Sequence, residues 1–167
     1  MITQSTFEER QERGKKAEEF AREYYGTTKY RNKKLYVINS GIEKGGKKCP
    51  VEFFENIPPL VKNIPDFVVT GEIGARFVEV KSGWDHIKFK KIDLTGYEHW
   101  NKIMPVDMMC YAEKFDCLYK ITFKGLKKLI SELNFDVGTY ENNGKEYYNV
   151  PVKELTLVGE SPIKRRK

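Results

Sequence analysis

The chain has 167 residues, of which 40% are hydrophobic and 32% charged, and carries a formal net charge of +6. That composition excludes a disordered chain and is long enough to bury one real core, so a single globular domain over 1–167 is expected. The basic balance favours an anionic partner, nucleic acid or an acidic membrane surface, over acidic or neutral ones. No apolar run reaches the length of a membrane span and the amino terminus is polar from Thr3 onward, which predicts an intracellular, cytoplasmic protein. Cys49, Cys110 and Cys117 are odd in number and lack a paired short spacing. Buried thiols are therefore expected, rather than a disulfide framework or a zinc site with His86 or His99.

In chain order, Ser5-Thr6-Phe7-Glu8 reads as a capping box that opens a helix running to about Tyr25. Ala17, Phe20, Ala21 and Tyr24 follow the spacing of a core-facing stripe. Glu18 falls on the edge of that stripe, while Glu19 turns to solvent. Gly14, one turn earlier on the same flank, leaves space above the Glu18 carboxylate. A half-buried glutamate is unusual, although one that snorkels to water has the same pattern. A basic stretch at 29–34 leads into a strand at 35–38. A glycine- and lysine-bearing loop follows at 41–48, then a short strand at 51–54. Pro58-Pro59 breaks the chain.

The most informative stretch is Pro65 to Lys81. Two β-rich runs, 67–70 and 75–80, flank Gly71-Glu72-Ile73-Gly74 and read as a β-hairpin. A symmetric turn pairs Gly71 with Gly74 and Thr70 with Ala75, and so sets Asp66 opposite Glu79. Opposed side chains stand about 4.5–5.5 Å apart at Cβ, and like charges so placed destabilise the pair. Lys81 projects from the same face as Glu79, while Val78 and Val80 point to the other. A divalent cation explains such a gathering. An ion-pair cluster with Arg76 explains it less well, because Arg76 has the opposite strand parity.

Beyond the hairpin, Trp84-Asp85-His86 and Lys88-Phe89-Lys90-Lys91 interleave cations with aromatics, a composition suited to phosphates and unstacked bases. Thr95-Gly96-Tyr97-Glu98 reads as a second capping box, opening a short helix through His99 and Trp100 that ends before Pro105. Strands are expected at 106–111 and 117–123. An amphipathic helix follows at 125–133, with Leu126, Leu129, Ile130 and Leu133 on its apolar face. Asn143-Gly144 signals a type I′ hairpin between 139–142 and 145–150. Tyr147 and Tyr148 can pack inward or face a partner. Lys164-Arg165-Arg166-Lys167 forms a basic tail suited to nonspecific DNA attraction. The sequence holds no internal repeat and no phosphate-binding Gly-x-x-x-x-Gly-Lys-Ser/Thr loop, which argues against an NTPase.

Glu18, Pro65-Asp66 and Glu79-Val80-Lys81 together resemble the PD-(D/E)XK nuclease superfamily, with Pro-Asp at the start of one strand and Glu-x-Lys on the next. Gly14-Lys15-Lys16-Ala17-Glu18 is similar to the first-helix segment of Holliday-junction resolvases and related phage or intron-encoded members. The resemblance implies an α/β, restriction-endonuclease-like core over about 5–134, with a mixed central β-sheet flanked by helices. A C-terminal β-hairpin and basic tail, 135–167, lie outside that core. It also implies Mg²⁺-dependent cleavage of DNA phosphodiesters, with Mn²⁺ able to substitute, and frequently a homodimer. On this reading Glu18, Asp66, Glu79 and Lys81 are catalytic. The metal ligands are Asp66, Glu79, the Val80 carbonyl and, directly or through water, Glu18. Lys81 orients the attacking water and offsets negative charge. Two other readings keep the basic surface without cleavage: an inactive DNA-binding protein on the same fold, and an interaction domain for an acidic protein.

Overall fold

The computed structural model describes residues 6–30, 33–42, 54–72 and 74–160. Its elements are α1 (Phe7–Thr27), β1 (Lys29–Tyr30), β2 (Lys33–Lys34), β3 (Tyr36–Asn39), α2 (Pro59–Lys62), β4 (Phe67–Gly71) and β5 (Gly74–Gly83). Then come β6 (His86–Lys90), α3 (Lys91–Ile103), β7 (Val106–Ala112), β8 (Cys117–Thr122) and α4 (Phe123–Leu133). The chain closes with β9 (Val137–Thr139), β10 (Glu146–Pro151), a single 3₁₀ turn (Val152–Glu154) and β11 (Thr156–Glu160).

Six strands form the central sheet in the order β11-β8-β7-β5-β4-β3. Only β5 and β7 run parallel; the other neighbours are antiparallel, so the sheet is mixed. β7 is buried along its whole length because both faces of the sheet are covered, as expected for a central strand. On one face α1 lays Ala17, Phe20, Ala21 and Tyr25 over Phe67, Val69, Val78, Met109 and Tyr111. On the other, Tyr97 of α3 and Phe123 and Leu126 of α4 pack on Phe77, Met108 and Cys110. A second sheet, β6-β10-β9, closes that side with Ile87, Phe89 and Val150. The architecture is thus mixed α/β, a central mixed sheet flanked by helices.

Several expectations shift by a residue or more. The first capping box closes on Thr6 and Glu9 rather than Ser5 and Glu8: Glu9 donates its amide to Thr6 Oγ1, and Thr6 its amide to Glu9 Oε2. Consecutive glutamates let the motif be read in either frame. Along α1 the buried line follows i+4 steps through Ala17, Ala21 and Tyr25, leaving Tyr24 half-buried. α3 begins at Lys91, not after a Thr95 cap, because β6 runs straight into it. Gly96 lies inside that helix where Asn63 crowds it; a Cβ there would come within 2.9 Å of the Asn63 side chain. β8 ends at Thr122, whose hydroxyl caps α4 by accepting from the Gly125 amide at 3.0 Å.

The C-terminal hairpin forms, but its turn is longer than a two-residue type I′ loop. Glu146 pairs with Thr139, and Gly144, at φ +67°, donates to the Tyr140 carbonyl. β11 then returns to β8 as an edge strand of the central sheet, and Val150, Val152 and Leu155 lie in the core. The segment after 134 is therefore built into the fold rather than appended to it. Cys110 and Cys117 are buried thiols, and burial pushes the Cys110 thiol up to about 12. Cys49, residues 51–53 of the strand expected at 51–54, most of the loop at 41–48 and the tail at 164–167 lie outside the described residues; Phe54 is not in a strand.

Candidate active site

The hairpin register is the expected one: Phe67 pairs with Val78 and Gly71 with Gly74. Asp66 immediately precedes β4, and its Oδ2 accepts the Val80 amide at 2.7 Å. Its backbone is pinned from the neighbouring segment, where the Ser40 and Gly41 amides donate to the Asp66 carbonyl at 2.9 and 3.1 Å. The Ser40 hydroxyl adds a bond to the Pro65 carbonyl at 2.6 Å. Gly41 lies so close that a Cβ there would be 3.4 Å from Asp66 Oδ1. The tightest approach is to the Asp66 backbone, 3.3 Å from its Cα, so a side chain at 41 would press on the segment rather than on the carboxylate.

Glu79 is 7% exposed, an uncommon burial for a glutamate. Its Oε1 accepts from Lys81 Nζ at 2.5 Å and from the Tyr97 hydroxyl at 2.5 Å. Lys81 in turn donates to the Tyr97 oxygen at 3.1 Å and stands 3.9 Å from Asp93 Oδ2. Period-two alternation places Glu79 and Lys81 on one face of β5, and α3 supplies Asp93 and Tyr97 from above. Arg76, of opposite parity, bonds Asp107 at 2.8 Å on the face that α1 covers. It takes no part in the carboxylate group. Glu18 is half-buried, as its place on the edge of the α1 stripe predicts.

The electrostatics tie these groups together. Burial raises the Asp66 carboxyl well above the usual aspartate range, and the charges of Glu79 and Glu18 push in the same direction. Lys81 and the Val80 amide oppose the rise without cancelling it. Burial works against the Lys81 ammonium, but Glu79, Tyr97, Asp93 and Asp66 outweigh it and hold its pKa well above the usual lysine value. That direction favours the charged ammonium, which can neutralise negative charge and orient a water.

Among the described residues no group of three or more His, Cys, Asp or Glu side chains is placed to hold a metal ion. Glu79 is turned to Lys81 and Tyr97, while Asp66 is tied to the Val80 amide. His99 bonds the Thr95 carbonyl, and Trp100 bonds Leu60 and packs on Phe77, so neither joins the group. Asp93 and Tyr97 are the residues that sequence reasoning missed. Their i, i+4 spacing is the available signal, and it emerges only once the helix is started at Lys91.

No family model and no curated protein matches this chain. A solved structure does. It is that of a nuclease from a fusselovirus, with a TM-score of 0.53 over 94% of this chain and 90% of that one, at 11% sequence identity. The chain shares the fold of that nuclease. At that identity the likeness reaches the arrangement of strands and helices and no further. Within that shared fold, the carboxylate group sits at the mouth of the β4–β5 hairpin, where the parallel strand β7 buttresses it through pairs such as Glu79 with Met108 and Lys81 with Cys110.

Proposed function

We propose that the protein is a metal-dependent DNA endonuclease of the PD-(D/E)XK type, using Mg²⁺ and accepting Mn²⁺. It acts as a structure-selective, junction-resolvase-like enzyme or as a phage or mobile-element nuclease. The observation that carries this reading is the convergence of Asp66, Glu79 and Lys81 at one end of the hairpin, in a chain with a nuclease fold.

The donor set is chemically right for a hard cation. Glu18, Asp66 and Glu79 offer only carboxylate oxygens, to which the Val80 carbonyl would add a fourth oxygen ligand. Asp66 also carries a charge that its neighbours disfavour, which a cation relieves. The Lys81 ammonium already sits at Glu79 Oε1, so a cation shared by Glu79 competes with it. A bound Mg²⁺ would lower the pKa of a water and polarise a phosphoryl oxygen.

The chain's own residues do the rest. Asp66 and Glu79 would hold the cation at the open end of the β4–β5 hairpin. Lys81 holds the attacking water and offsets the charge that grows on the phosphoryl oxygens. Tyr97 and Asp93 keep Lys81 charged and aimed. The basic surface supplies sequence-independent attraction for the DNA backbone.

A second reading is an inactive DNA-binding protein on the same fold; the engagement of Glu79 by Lys81 and Tyr97 favours it. Purified protein should be incubated with Mg²⁺ or Mn²⁺ and a panel of junction, flap, single-stranded and duplex DNA. The endonuclease reading expects cleavage that is lost in Asp66→Ala, Glu79→Ala and Lys81→Ala while binding persists. Cleavage retained by Asp66→Ala overturns it. Binding without cleavage under either cation selects the second reading.

A further inference from the structure

The second sheet carries a pair of half-buried tyrosines beside two lysines that the carboxylate group does not use. Alternation along β6 sends Ile87 and Phe89 inward and leaves Lys88 and Lys90 on the outer face. On β10 the outer partner is Tyr147, paired with Lys90 on one side and Gly138 on the other. The Tyr147 ring lies on Gly138 so closely that a Cβ at 138 would come within 2.4 Å of it. Tyr140, one residue past β9, meets Tyr147 with ring centroids 4.6 Å apart and planes tilted by 54°. Lys88 Nζ is 4.5 Å from the Tyr147 centroid and 5.4 Å from that of Tyr140; Lys90 Nζ is 5.7 Å from Tyr140. Lys91, the next residue along, is paired with Glu146 at 3.1 Å.

Two aromatic rings and two ammonium groups thus share one small surface. That surface adjoins the candidate active site. β6 follows β5 after a two-residue turn and leads directly into α3, which carries Asp93 and Tyr97. Tyr140, whose hydroxyl pKa is raised chiefly by burial and by Tyr147, also feels the charges of Lys81, Asp93 and Arg10.

We propose that Tyr140 and Tyr147, with Lys88 and Lys90, seat an unpaired nucleotide of the DNA strand being cut. The substrate class is then DNA with a single-stranded segment next to the scissile phosphate. The inference rests on the nuclease reading and narrows its substrate. Tyrosine rings accept any unstacked base through its π-face, whereas a base inside a duplex has both faces already stacked. Lysines held over the rings by cation–π attraction are placed to exchange that contact for a phosphate. Gly138 fits the same account, because it lets the Tyr147 ring lie flat on the sheet.

Fluorescence anisotropy with labelled oligonucleotides, in the absence of divalent cations, tests the seat independently of cleavage. Wild-type protein is expected to bind a tailed duplex more tightly than a blunt one of equal length. Tyr147→Ala should lower affinity for the tailed DNA about tenfold, Tyr140→Ala similarly, with far smaller changes on the blunt duplex. Tyr147→Phe should restore binding. If Tyr147→Ala fails a melting control, Tyr140→Ala and Lys88→Gln carry the comparison. Unchanged affinity for tailed DNA in the folded variants, or equal losses on both DNAs, overturns the inference. Wild-type protein that cuts nothing, while the ring variants still lose tailed-DNA affinity, overturns the nuclease reading and leaves the seat standing.

Discussion

Asp66 is the residue on which stability and chemistry pull apart. Its folded pKa is raised, first by burial and then by Glu79 and Glu18. The unfolded chain therefore releases this proton at lower pH than the folded one, so the folded state binds more protons across the interval. Stability of the metal-free protein should consequently fall as pH rises from the ordinary aspartate range to the raised value. Asp66→Asn keeps an oxygen for the Val80 amide and removes the charge. It should be more stable than wild type at neutral pH, with a flatter stability–pH profile, while losing activity; urea melts at several pH values will show it. Tyr97→Phe should cost about 1 kcal/mol, since Glu79 loses one of two hydrogen bonds but keeps Lys81. Equilibrium denaturation measures that difference.

The same residues show what a sequence can disclose at this scale. Asp66, Glu79 and Lys81 were legible because strand alternation and a glycine-bounded turn leave one register open. Asp93 and Tyr97 were hidden, because Thr95-Gly96 mimics a helix start. The true start carries no side-chain cap to announce it.

Among elements, β6 was the least legible. His86-Ile87-Lys88-Phe89-Lys90 alternates cleanly, but its lysines and aromatics read first as composition rather than as a strand. The turn that introduces it has a strict steric requirement. A Cβ on Gly83 would lie 2.0 Å from the His86 carbonyl oxygen, so the backbone must shift to admit any side chain. Gly83→Ala should destabilise the protein by about 1–3 kcal/mol and displace the sheet that bears Tyr147. Loss of tailed-DNA affinity together with a lower urea midpoint is the expected result. By contrast, α1 and the β4–β5 hairpin were legible nearly to the residue, since periodicity and turn chemistry agree there.

For the molecule as a whole, the C-terminal segment is where local reading fell short. Nothing near residue 156 reveals that β11 pairs with β8, because strand partners far apart in sequence leave no local signal. Ending the chain at Pro151 removes Val152 and Leu155 from the core and exposes β8 as an edge. Removal of one buried Leu side chain alone costs about 2–5 kcal/mol, against a total stability of about 5–15 kcal/mol. The truncated chain should lose its cooperative thermal transition and aggregate. Net charge acts at the same scale: affinity for any DNA should fall steeply with added salt, and a homodimer, which paired strand cuts would favour, is checked by sedimentation.

On the proposed function, Asp66 and Glu79 hold a divalent cation beside Lys81. Isothermal titration of Mn²⁺ into the DNA-free protein tests it most directly. Wild type should give a saturable binding heat that strengthens as pH rises and Asp66 loses its proton, and Asp66→Asn should give none. Binding of equal strength in the two proteins, or none in either, would contradict the account.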